Sequence, residues 1–144
     1  MNFILLFLSW LAVAGLLSCV AVHWAWLLKI YSPSMTAVQA LSWGLFVVWL
    51  PAVLMARRLS RGSVDRNHWR VVFNKVPPWM KKITIASIVY SLANFFIVLW
   101  LEKFHPGADD NALTLGAIPG HLIAFYSISW AVLYAASHPS DPGQ

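Results

Sequence analysis

Four apolar segments without a single charged side chain constrain this chain more than any other feature. They cover residues 3–28, 34–56, 83–101 and a last segment that ends near residue 136. A helix of about 20 mainly apolar residues crosses the roughly 30 Å of hydrocarbon in a bilayer. Inside hydrocarbon the backbone groups must pair within the segment, which selects helices. We therefore predict an all-α fold, an integral membrane antiparallel four-helix bundle, formed as a single transmembrane domain by residues 1–144.

The composition agrees with a membrane location, and the last span has two possible starts. Hydrophobic residues make up 60% of the chain and charged residues only 10%, whereas soluble proteins carry about 25% charged residues. The last span begins either at Pro119 or near residue 112. In the longer version Asp110 would cap the helix and Pro119 would kink it.

The basic residues predict the orientation. Eight of the ten lie in the loop 57–82, together with a single acid, Asp65. The loop 102–118 carries three acids and one base. Because basic loops stay in the cytoplasm, we expect residues 57–82 and both termini on that side. The expected location is a bacterial inner (plasma) membrane.

The basic loop also contains the pattern of a short amphipathic helix. Apolar residues at positions 69, 72, 73 and 76 share one helical face, and polar residues occupy the other. Such a helix is expected to lie in the membrane plane and to contact anionic lipid headgroups. The residues assigned to this lipid surface are Arg66, Trp69, Arg70, Phe73, Lys75, Trp79, Lys81 and Lys82. The lipid role explains the charge, so no nucleic-acid partner is expected.

A layer of polar side chains is the best candidate for a site. Its members are His23, Gln39, Asn94 and His121, one from each span. Counted along the helices, all four lie about 6 to 10 Å below the outer surface. Span three adds a polar seam at spacings of 3, 4 and 3, formed by Thr84, Ser87, Ser91 and Asn94. Polar residues inside spans tend to face the bundle interior.

Four interpretations of this layer remain open. His23 and His121 could hold haem b, because two imidazoles from facing helices suit that cofactor. Cys19, His23 and His121 could form a copper or zinc site. The layer could line a pocket for a quinone or lipid headgroup. Finally, the polar side chains could simply bond neighbouring helices.

We expect no enzymatic activity, since no catalytic motif is visible and no span contains a carboxylate. The leading hypothesis is a non-enzymatic accessory or interaction subunit that packs with partner membrane proteins, as a homo- or hetero-oligomer. The alternative is a binder of a small molecule or cofactor, namely a quinone, a lipid, haem b or a metal, in the outer-leaflet layer.

Overall fold

Helices form almost all of the structure, which is a computed structural model that describes residues 2–60, 68–104 and 110–138. The helices are α1 (Asn2–Leu27), α2 (Met35–Ser60), α3 (His68–Asn74), α4 (Pro78–Phe104) and α5 (Asp110–Ser137). Within these described ranges there is no strand. Four helices are long and apolar enough to cross a membrane. The all-helical prediction with four candidate spans is therefore confirmed, whereas the orientation in the membrane stays a prediction.

Three of the helices, α2, α4 and α5, extend beyond the apolar segments that predicted them. α2 continues through Arg57 to Ser60, and α4 starts at Pro78. Proline suits the first turn of a helix, because the N–H that it lacks has no partner there. α5 begins at Asp110 and includes Pro119, so the longer of the two predicted starts is the observed one.

The turn between α1 and α2 stops one helix and starts the next by local hydrogen bonds. Lys29 has a φ of 57°. Its N–H bonds to the carbonyl of Trp26, and the N–H of Ile30 bonds to the carbonyl of Ala25, both at 2.9 Å. These two bonds form a Schellman motif, which normally has glycine at the position of Lys29. Ser34 then caps α2, since its Oγ accepts the N–H of Ala37 at 3.2 Å.

α5 is the central helix, and α1, α2 and α4 all pack against it. In the most apolar part of α5, 61% of the residues are buried, compared with 28%, 17% and 22% in α1, α2 and α4. Gly15 of α1 contacts Tyr126 of α5, and Trp26 of α1 contacts Gly116 of α5. The outer surfaces of the other three spans carry large exposed apolar side chains, including Trp10, Trp43 and Phe96.

The short helix α3 overlaps residues 69–76, and apolar side chains in it and just after it contact protein. Val72 is 1% exposed and Val76 is 8% exposed, and both belong to the hydrophobic core. Phe73 is half-buried, with the Lys81 Nζ 5.7 Å from the centre of its ring. α3 packs on α2 and α5. Its predicted position in the plane of a membrane stays a prediction.

Candidate functional site

The polar layer meets α5 where Pro119 interrupts the helix. Proline lacks an N–H, so the carbonyl of Leu115 loses its usual partner four residues later. Next to this point, the carbonyl groups of Gly116, Ala117 and Gly120 accept hydrogen bonds from side chains of α1, α4 and α5 itself. We call this group of side chains, His23, Ser91, Asn94 and His121, the polar node.

His23 joins α1 to α5. The residue is 1% exposed, and its Nδ1 lies 2.9 Å from the carbonyl oxygen of Gly116. Because a carbonyl only accepts, Nδ1 is assigned the proton and Nε2 the lone pair of the neutral ring. The Trp26 indole packs directly on Gly116, where any side chain would clash. The Tyr90 ring meets His23 edge-on, with 5.8 Å between ring centres.

Asn94 and His121 share one carbonyl group. Asn94 Nδ2 donates to the carbonyl oxygen of Ala117 at 3.1 Å, and His121 Nδ1 lies 2.8 Å from the same oxygen. The two side chains also approach each other, with 3.3 Å between Asn94 Nδ2 and His121 Nδ1. His121 is half-buried, and Phe95 packs edge-on against its ring. His121 is thus held by its own helix and by α4.

Ser91 bridges two backbone groups of α5. Its Oγ donates to the carbonyl of Gly120 at 2.8 Å and accepts the N–H of Ala124 at 3.2 Å. The seam predicted on span three faces the protein at three of its positions, since Thr84, Ser91 and Asn94 are buried. Ser87 is half-buried.

Gly120 allows α1 and α4 to approach α5 together. A Cβ atom at this position would lie 2.6 Å from Asn94 Nδ2 and 2.8 Å from His23 Cε1. The structure thus brings His23, Asn94 and His121 together around one turn of α5. Gln39, the fourth residue of the expected layer, has an exposed side chain, because its neighbour Val38 takes the buried face of α2.

Cys19, His23 and His121, the possible metal ligands, all lie within the described residues. Cys19 is fully buried. Within the described ranges, no three His, Cys, Asp or Glu side chains are placed to hold a metal ion together. Gly120 packs against both His23 and Asn94, and Asn94 Nδ2 lies 3.3 Å from His121 Nδ1. Both imidazoles nevertheless use Nδ1 for a backbone carbonyl, the arrangement that orients metal-binding histidines.

A second polar contact was missed by the sequence analysis and involves Tyr126. Its hydroxyl donates to the carbonyl of Leu41 in α2 at 2.7 Å. Its ring packs on Gly15. A Cβ atom added at Gly44 would lie 2.8 Å from its hydroxyl oxygen. Tyr126 is 2% exposed, so it joins α5 to α1 and α2 rather than lining an open pocket. The available sequence signal was the pair Gly15 and Gly44, which leave room for a large side chain on two different spans.

The expected lipid surface is only partly described. Arg66 and the side chain of Trp69 lie outside the described residues. Arg70, Lys81 and Lys82 are exposed, and Lys75 is half-buried. Trp79 is 52% exposed and touches Trp130, with 5.6 Å between ring centres. Contact of these side chains with lipid stays a prediction.

Comparison with known proteins places the chain in no family. No protein-family model, no curated protein and no solved structure matches it.

Proposed function

We propose that this small polytopic membrane protein is a non-enzymatic accessory subunit, an antiparallel four-helix bundle that packs beside partner membrane proteins. The observation that carries the proposal is that side chains of the polar layer form hydrogen bonds between helices. Its interior members bond to backbone carbonyl groups of α5 on either side of Pro119. Among the described residues, no buried side-chain nitrogen or oxygen lacks a hydrogen-bond partner. Such a layer has a structural use without any ligand.

The outer surface supports an interaction role. α1, α2 and α4 each expose large apolar side chains along their length, including Phe7, Leu17, Leu50 and Ile97. This surface is suited to lipid and to the spans of partner proteins, or of a second copy. The loop 57–82 and both termini would face the cytoplasm, because most of the positive charge is in that loop. A bacterial inner membrane fits this charge distribution.

The first test is recovery of partners from the membrane. The chain is crosslinked in intact membranes, purified through a tag and analysed by quantitative mass spectrometry. An accessory subunit yields one membrane protein, or a second copy, in near-stoichiometric amount. His23→Ala and His121→Ala retain that partner, with Gln39→Ala as the exposed control. Recovery of the chain alone, as a monomer, contradicts the proposal.

The alternative function, a cofactor or ligand binder, is favoured by one observation. His23 and His121 both bond a carbonyl through Nδ1, which leaves both Nε2 lone pairs unused by those bonds. An absorption spectrum of the purified protein, oxidised and dithionite-reduced, with metal analysis of the same sample, separates the two functions. A haem or metal that is lost in His23→Ala or His121→Ala establishes the binder. A colourless, metal-free sample removes haem and copper.

A further inference from the structure

A groove runs along the half of α2 that precedes the basic loop. It has a volume of about 350 Å³ and lies over α2 and α5. Its walls are apolar except at one position, and the residues that line it are Trp49, Ala52, Val53, Ala56, Arg57, Ile128 and Val132. Ala52 and Ala56 are one helical turn apart, so their small side chains leave a trough between the larger ones. The trough is shaped for a narrow apolar chain.

The two ends of the groove differ in chemistry. Trp49 and Phe125 meet edge-on at one end, with 5.2 Å between ring centres. Arg57 lies at the other end, in the last turn of α2, and is exposed. The eight helical steps from Trp49 to Arg57 span about 12 Å. A bound molecule would therefore have an apolar part of about that length and an anionic group at Arg57.

We propose that this groove binds an anionic phospholipid, with an acyl chain in the trough and the phosphate at Arg57. A guanidinium pairs with phosphate oxygens through two parallel hydrogen bonds. The positive charge is complementary to an anionic headgroup, whereas an apolar partner helix would leave it unmatched. The source of the lipid, the cytoplasmic leaflet, follows from the orientation proposed above.

Arg58 provides a matched control within the same turn. It carries the same charge, but it lines a smaller groove of about 180 Å³ on another side of α2, with Leu5, Met55, Leu59 and Ala136. Arg58 already interacts within the protein. Removing either charge weakens the general attraction of the basic loop for lipid by the same amount. Only removal of Arg57 removes the charge at the end of the larger groove.

The test measures the phospholipid that remains bound after purification in a mild detergent, by native mass spectrometry with headgroup identification. The wild-type chain retains an anionic phospholipid. Arg57→Gln lowers its occupancy roughly tenfold, as expected for the loss of a hydrogen bond between charged groups. Ala56→Phe fills the trough with all charges kept and lowers occupancy as well. Arg58→Gln retains the lipid. Gel filtration and circular dichroism verify that each variant is folded.

Several results would overturn the proposal. Equal losses in Arg57→Gln and Arg58→Gln mean that the lipid responds to net charge alone. Full occupancy in Ala56→Phe places the lipid elsewhere. Retention of only zwitterionic lipid, or of a partner protein on this face, also contradicts it. Cysteine labelling of residues 57–82 reports the orientation separately, so a wrong orientation and an absent lipid site give different results.

Discussion

Gly120→Ala tests the central claim about the polar node, that α1 and α4 meet α5 at this glycine. The added methyl group would lie 2.6 Å from Asn94 Nδ2, 2.8 Å from His23 Cε1 and 3.0 Å from Asn94 Cγ. Contacts under 3.0 Å force a neighbour to move, and here the neighbours belong to two different helices. Because Asn94 is also bonded to the carbonyl of Ala117, moving it strains or breaks that bond.

The expected cost follows from three contributions. Overpacking a well-filled interior costs about 1 to 3 kcal/mol. Loss of the Asn94 hydrogen bond inside a membrane adds about 0.6 kcal/mol. The higher helix propensity of alanine returns up to about 1 kcal/mol. We therefore expect Gly120→Ala to lower the free energy of unfolding by about 1 to 3 kcal/mol.

The assay is equilibrium unfolding in mixed micelles of mild detergent and dodecyl sulfate, followed by circular dichroism. Asn94→Ala removes the closest neighbour of the new methyl group, so Gly120→Ala costs about 1 kcal/mol less in that background. Gly44→Ala is the control, since its Cβ approaches the Tyr126 hydroxyl instead. In the double variant with Asn94→Ala, the unfolding free-energy changes of Gly44→Ala and Asn94→Ala should add to within about 0.5 kcal/mol. The proposed packing is refuted if Gly120→Ala leaves the free energy of unfolding unchanged. It is also refuted if the effects of Gly120→Ala and Asn94→Ala simply add in the double variant.

Two further changes test other contacts by the same unfolding assay. Tyr126→Phe keeps the ring on Gly15 but loses the bond to the Leu41 carbonyl, so we expect a loss of about 0.6 kcal/mol, and at most about 1.7. Tyr31→Phe, in the exposed turn, is its control and leaves stability unchanged. Lys29→Gly removes the strain of a left-handed residue (φ of 57°) and stabilises the protein by about 1 kcal/mol. Lys29→Ala keeps that strain, so stabilisation of both variants to the same extent contradicts this explanation.

The candidate spans, and the similar level of three polar side chains along them, could be predicted from the sequence because both follow from the number of residues in each helix. A charge-free segment of sufficient length has one stable form in lipid. The rise per residue then puts His23, Asn94 and His121 at similar depth, and the structure brings them together. The hydrogen bonds from these side chains to specific carbonyls of α5 could not be predicted from residue spacing, because they depend on which helices are neighbours.

The rotation of each helix could not be predicted from apolar residues. In lipid the outside of a bundle is as apolar as its inside, so apolar side chains carry no information about direction. This explains why Gln39 was placed in the layer although it is exposed. One available signal was overlooked. α5 is the least apolar span, with a mean hydropathy of 1.3 compared with 2.5, 1.8 and 2.0 for the others. Ser127 and Ser129, which are fully buried, contribute to this lower hydropathy.

The central position of α5 has a consequence for biogenesis. α5 follows the other spans in the chain, so the ribosome completes it after they have been made. Until it inserts, His23, Ser91 and Asn94 lack the α5 groups to which they bond. The newly inserted protein thus passes through a stage in which polar side chains are unpaired within hydrocarbon, where such groups are costly. Membrane chaperones and proteases that recognise unpaired polar groups would encounter the nascent chain at this stage, and arrival of α5 would end that exposure.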